Sequence, residues 1–180
     1  MDALIIAAGL GKRLRPYTNT IPKCLLRVND KSIIENQIKI FKNLGIKKIF
    51  IITGYQSNKI KNRVENKDII FIKNSDFKKN NILESLFYAK KYFNRNLLIS
   101  YSDIIFEQSI VKKLLDCKND ISLLTDINWK KNYVNRSLHP ISQAENVYFS
   151  KNHEILKIGK NLSEGESNGE FIGMLKLSIN

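Results

Sequence analysis

Three short runs of apolar residues, ALIIAA (3–8), KIFIITG (48–54) and LLISY (97–101), lack the polar alternation of a strand with one wet face. Runs of that length with no polar side suit strands buried on both faces, which occur mainly in parallel sheets covered by helices. Between them lie segments with helical spacing. Ser32-Ile-Ile-Glu35 reads as a capping box, because the serine and glutamate satisfy each other's orphan amides. It opens a helix with Ile33, Ile34, Ile38, Phe41 and Leu44 on one face, and Gly45 stops it. A weaker helix is expected near 57–64, a strand at 68–73, a helix over 82–93, another over 107–116 and a strand at 120–125. This alternation predicts an α/β fold of three layers, αβα and Rossmann-like, with a mostly parallel central sheet.

Past Asp126 the rhythm changes. INWKKNYVNRSLHP is polar and aromatic without a clear period, ENVYFSKNHEILKIG reads as a hairpin, and GEFIGMLKLS (169–178) as a further strand. The 180 residues are read as one domain in which 126–168 form a lid and hairpin insertion. Cys24 and Cys117 lie far apart in no metal-like spacing, which predicts two reduced thiols and a cytoplasmic setting. No apolar run approaches the roughly 20 residues of a membrane helix, and no membrane partner is expected. With 30 Lys+Arg against 17 Asp+Glu, the net charge of +13 favours anionic ligands. The lysines are spread along the chain and match no nucleic-acid motif, so a nucleic-acid partner is not expected.

Ligands of open α/β sheets bind outside the carboxyl ends of the strands. Three features fall there: AAGLGKRLRP after the first strand, Gly54-Tyr55 after the second and Asp103 after LLISY. Gly9 and Gly11 allow backbone amides to approach a phosphate and form an anion-binding nest. Leu14 stands where the dinucleotide fingerprint needs glycine, and Arg13 follows Gly11-Lys12 where a Walker A loop needs Ser or Thr. What remains is a glycine nest flanked by Lys12, Arg13, Arg15 and Lys23, suited to a triphosphate that loses pyrophosphate.

The stretch LIIAAGLGKRLRPYT…PKCLL resembles the signature of the sugar-nucleotidyltransferase superfamily. GYQSNKI, NNILESL, SYSDIIF, IGKNL and GEFIGMLKLS are more similar to its CTP-dependent phosphocholine and phosphonate cytidylyltransferases. DINWKKNY…HPISQAENVYF looks closest to the phosphonate members, which makes 2-aminoethylphosphonate the expected acceptor of CMP. The resemblance implies that amides around Ala8, Gly9 and Gly11, with Lys12, cradle the nucleotide's phosphates. It implies further that Arg13 and Lys23 are catalytic, that Tyr55, Asn81 and Ser85 bind the nucleotide, and that Asp103 binds Mg²⁺. Lys160 and Glu170 would lie on the acceptor side, while Trp129 and Tyr133 are read either as an acceptor-binding wall for a cationic head group or as packing residues in a lid. Members generally run on into a tail that supplies a second metal-binding aspartate, so Asp103 is the single carboxylate assigned to the metal here. A sugar-1-phosphate nucleotidyltransferase and a non-catalytic nucleotide- or nucleic-acid-binding relative are the alternatives, and the expected assembly is a monomer or homodimer.

Overall fold

The computed structural model describes residues 1–137, 139–160, 162 and 164–179. In chain order the elements are β1 (Asp2–Ala7), β2 (Arg27–Val28), β3 (Lys31–Ser32), α1 (Ile33–Asn43), β4 (Ile49–Thr53), α2 (Ser57–Val64), β5 (Ile69–Lys73), α3 (Ile82–Phe87), β6 (Leu97–Tyr101) and α4 (Gln108–Asp116). They continue with β7 (Ile121–Asp126), β8 (Asn146–Phe149), β9 (Ile155–Gly159) and β10 (Gly169–Leu177). Two compact units result, Met1–Ser122 with Leu175–Asn180, and Leu123–Met174.

The first unit is the expected α/β body. Its parallel strands run in the order β5-β4-β1-β6, with Leu4 beside Phe50 on one side and Ile99 on the other, and Phe50 beside Ile70. Successive β1 side chains point to opposite faces, and Ala3, Leu4 and Ile5 are all buried. Leu4, Phe50, Ile52, Leu97 and Ile99 form one cluster, against which Phe77, Leu86, Tyr92, Leu175 and Leu177 pack. The apolar runs are continuous because neither face of this sheet meets water.

Helix α1 forms as its pattern predicts. The Glu35 carboxylate accepts from the Ser32 amide (2.9 Å) and hydroxyl (2.6 Å). Burial pushes the Glu35 carboxyl upward, but the Ser32 bonds and Arg63, 3.1 Å away, outweigh it and hold it below its ordinary value. The helix expected over 82–93 is shorter. Asn81 and Glu84 make a second capping box for α3. After Phe87 the bonds tighten to three-residue spacing, with the Ala89 amide donating to Leu86 O (2.9 Å). A 3₁₀ turn over Lys90–Tyr92 follows and lays Tyr92 on Phe50, 4.3 Å between ring centres.

In the second unit β8 pairs antiparallel with β9 and with β10, so the hairpin and the late strand form as expected. A Cβ at Gly169 would collide with the Thr125 methyl, which explains a glycine in the first position of β10. Trp129, Tyr133 and Ala144 make a separate small core with Ile141 against it. Among the described residues no helix is long and apolar enough to cross a membrane.

Candidate functional site

All four parallel strands end at one edge of the sheet, and the chain fills the two sides of β1 in opposite directions. From β1 it proceeds outward through β4 to β5, then returns to place β6 on β1's other flank. That reversal opens a crevice between the loops after β1 and β6, where α/β sheets take their ligands.

The β1 loop is built around Gly11. Its φ of +63° is left-handed, which favours glycine, and a Cβ there would press to 3.2 Å from the Thr18 methyl. Buried Thr18 donates its hydroxyl to Gly11 O at 2.8 Å. Gly9 differs. A Cβ there would meet nothing within 4 Å, so internal packing does not call for glycine; its absence of side chain leaves an exposed approach to the loop's backbone. Ala8 is buried, while Lys12, Arg13 and Arg15 are exposed beside it.

Lys23 and Asp103, 80 residues apart, meet in this crevice as an ion pair. Lys23 opens a 3₁₀ turn after Pro22, and Asp103 lies just past the end of β6, after Ser102. Their side chains are 30% and 32% exposed, so each remains accessible to a solute. Cys24, next along the turn, is 2% exposed. Burial pushes its thiol up to about 12, with Asp103 adding to the rise and a backbone hydrogen bond opposing it. Thiolate is the reactive form. Iodoacetamide applied to the folded protein at pH 8 is therefore expected to alkylate exposed Cys117 and spare Cys24 until the chain is denatured. Peptide mass spectrometry checks this, and rapid native labelling of Cys24 would contradict it.

Tyr55 serves the loop in a way its sequence position does not reveal. Its hydroxyl lies 2.7 Å from Asn19 O and 3.2 Å from Thr18 O. Gln56 Nε2 reaches Asn19 O at 3.3 Å, and Lys59 donates to Thr20 O. Three consecutive carbonyls are thus held by the start of α2, which ties the segment between the glycine nest and Lys23 to the end of β4.

Asn81 and Ser85 take part in the start of α3. Asn81 spends its side-chain oxygen on the Glu84 amide at 2.9 Å. Ser85, 6% exposed, donates to Asn81 O (2.9 Å) and accepts from Asn74 Nδ2 (3.0 Å). Both groups are engaged within the protein. Their neighbour Asn80, the first residue of NNILESL, carries a buried Oδ1 without a hydrogen-bond partner. A buried acceptor left unpaired costs about 1–3 kcal/mol, so its persistence needs an explanation.

Among the described residues no three His, Cys, Asp or Glu side chains cluster as a metal cage. Mg²⁺ keeps several waters and is commonly held by one or two carboxylates with substrate phosphates. An accessible Asp103 near the glycine loop fits that mode of binding and not an all-protein cage.

The residues expected on the acceptor side lie in the second unit. Trp129 is 1% exposed and meets Tyr133 edge-on at 5.8 Å; its burial fits the packing reading and not the open wall. The Tyr133 hydroxyl donates to Glu170 Oε1 and lies 3.2 Å from His139 Nε2, with the Arg136 guanidinium 5.0 Å over the Tyr133 ring. His139, which no spacing marked, belongs to this group. Lys160 is exposed after β9, and its neighbour Asn161 in IGKNL lies outside the described residues.

A parallel sheet with a glycine nest, a lysine and an aspartate at its switch point defines a nucleotide-binding α/β protein. Residues 3–146 match the MobA-like NTP transferase domain, and the chain belongs to that family. It is 33% identical over 186 positions to the CTP:phosphoglutamine cytidylyltransferase of Campylobacter jejuni, covering 99% of this chain and 73% of that protein. It is 32% identical over 140 positions to the choline-phosphate cytidylyltransferase of Streptococcus pneumoniae, covering 72% of this chain and 61% of that one. The inositol-1-phosphate CTP transferase from T. maritima has the same fold, with a TM-score of 0.77 at 22% identity over 98% of this chain and 70% of that chain.

Proposed function

We propose that this chain transfers CMP from CTP to a small phosphorylated acceptor and releases pyrophosphate. The observation that carries the reading is the meeting of the glycine nest, Lys23 and Asp103 at the switch point beside β1. In the reaction, an acceptor phosphoryl oxygen attacks the α-phosphorus of CTP as the bond from that phosphorus to the β-phosphate oxygen breaks. Two anions must be brought together, so catalysis is mainly positioning and charge neutralisation.

Each residue then has a task. The backbone around Ala8, Gly9 and Gly11, with Lys12, holds the phosphates; the open approach at Gly9 suits that use. Lys23 leaves Asp103 to bridge the α-phosphate and the incoming oxygen, and Arg13 meets the departing pyrophosphate. Asp103 would hold Mg²⁺, which would supply further charge neutralisation for the triphosphate. Tyr55 acts on the nucleotide through the loop it holds. Asn81 and Ser85 shape the wall of the base site.

On the acceptor side we assign Tyr133, Glu170 and Lys160. Phosphoglutamine is the first acceptor to try, because the likeness to the Campylobacter enzyme runs over 99% of this chain. The 2-aminoethylphosphonate suggested by DINWKKNY…HPISQAENVYF comes next. Pyrophosphate release would be measured with Mg²⁺, each of the common NTPs, and phosphoglutamine, phosphocholine, 2-aminoethylphosphonate, inositol-1-phosphate or glucose-1-phosphate. Release is expected with CTP and one of the first four. Release with UTP or dTTP and glucose-1-phosphate, and none with CTP, would overturn the reading.

A further inference from the structure

The buried face of α1 carries one polar residue among its Ile and Phe side chains. Gln37 is 1% exposed and sits among Ile33, Ile34, Ile38 and Phe41. Packing alone would be served by leucine or methionine at that position, and burying an amide is costly unless it is hydrogen-bonded. Both donors of the Gln37 amide are bonded. Its Nε2 donates to Tyr101 O at 2.9 Å and to Ile104 O at 2.8 Å. Its Oε1 lies 3.5 Å from the Ser100 hydroxyl, itself fully buried. The orientation of the amide follows from chemistry, since the flipped form would face an oxygen toward two carbonyls.

The two carbonyls that Gln37 grips belong to the residues on either side of Ser102-Asp103. On its amino side the loop is also anchored by the Ser102 amide, which donates to Ile6 O at 3.2 Å. Beyond Ile104, Phe106 stacks on Phe41 of the same helix at 5.8 Å. Helix α1 therefore fixes the backbone that aims Asp103 at Lys23.

We infer that Gln37, 64 and 67 residues away from the carbonyls it binds, is the positioning residue for Asp103. It touches neither substrate. It sets the place of the carboxylate, and through it the resting place of Lys23. This rests on the cytidylyltransferase reading for its catalytic consequence, but the clamp itself can be observed without turnover.

The test replaces Gln37 by methionine, which keeps a similar volume and removes both donors. In a folded Q37M protein, kcat with CTP and the best acceptor of the panel above is expected to fall about 10- to 100-fold, the cost of sub-ångström misplacement at a reacting centre. KM for CTP should stay within about threefold, because the phosphate nest is untouched. In a D103N background the same substitution should change the rate less than about twofold, since coupled residues lose the same interaction once. A folded Q37M protein with unaltered kcat, a loss confined to KM, or losses that multiply with D103N would each overturn the inference.

Side-chain amide exchange in the unaltered chain provides the check that needs no variant. Both Gln37 amide protons are expected to exchange at least about 100-fold more slowly than a free glutamine amide, as buried bonded protons do. Exchange at the free rate removes the clamp. Absence of pyrophosphate release from the unaltered chain instead removes the functional reading and leaves the clamp to stand on its exchange rate.

Discussion

Replacing Lys23 by methionine is expected to lower turnover with CTP by about 10²- to 10³-fold, the usual effect of removing one preorganised electrostatic group from a reacting centre. Thermal unfolding should shift by no more than about 1 kcal/mol, because an ion pair of this exposure adds little to stability. The Lys23 and Asp103 side chains are 30% and 32% exposed, so Asp103 left alone is solvated rather than stranded. The loss should therefore appear in kcat with the fold intact. Lys23→Arg should recover part of it: the charge returns, but the planar guanidinium replaces a compact ammonium. Pyrophosphate release and a thermal melt on the three proteins decide the matter. A K23M protein within threefold of the unaltered rate would remove Lys23 from the chemistry.

Lys23 was visible in the sequence because PKCLL follows the glycine loop at a recognisable distance, and Asp103 because it closes an apolar run. Strand β1, helix α1 and its Ser32–Glu35 box were legible for the same reason: the determinants are local, a few residues apart. Gly11 was legible too, since a glycine beside basic residues after a buried strand has few uses. What escaped depends on contacts between distant segments. Nothing near Tyr55 shows that its hydroxyl lies against a loop 37 and 36 residues earlier. Gln37 left a faint sign, a polar residue at a helical position whose neighbours are all core, but its partners could not be read from that. Asn80 stands beside Asn81 in NNILESL, but nothing local shows that its Oδ1 is buried without a hydrogen-bond partner. The end of α3 was overrun because Leu86, Ala89 and Tyr92 remain apolar through the 3₁₀ turn, and periodicity does not distinguish a tightened turn from a continued helix.

Function divides along the same line. The residues expected to hold the nucleotide were read from short motifs at the ends of the parallel strands, and the family match spans residues 3–146. The acceptor side was read from aromatic and basic residues without a period. There Tyr133 meets Glu170, 37 positions away, and His139, and Trp129 turns inward.

Trp129→Ala is expected to cost about 3–5 kcal/mol, the range for truncating a large buried aromatic, and so to remove a substantial fraction of the roughly 5–15 kcal/mol that holds a domain folded. Trp129 is 1% exposed and packs with Tyr133 and Ala144 in the small core of the second unit. Truncation opens a cavity there and frees Tyr133, whose edge-on contact at 5.8 Å helps set the hydroxyl that donates to Glu170. Trp129→Phe keeps an aromatic edge against Tyr133 and should lose about half as much. Urea unfolding of the three proteins measures this, and acceptor KM at a temperature where all are folded separates packing from direct contact. A core residue predicts that W129F keeps the acceptor KM within about twofold while W129A loses stability. An open wall against the acceptor predicts the reverse: W129A unfolding close to the unaltered chain, with acceptor KM raised in both variants. That result would return Trp129 to the acceptor site and take it out of the core.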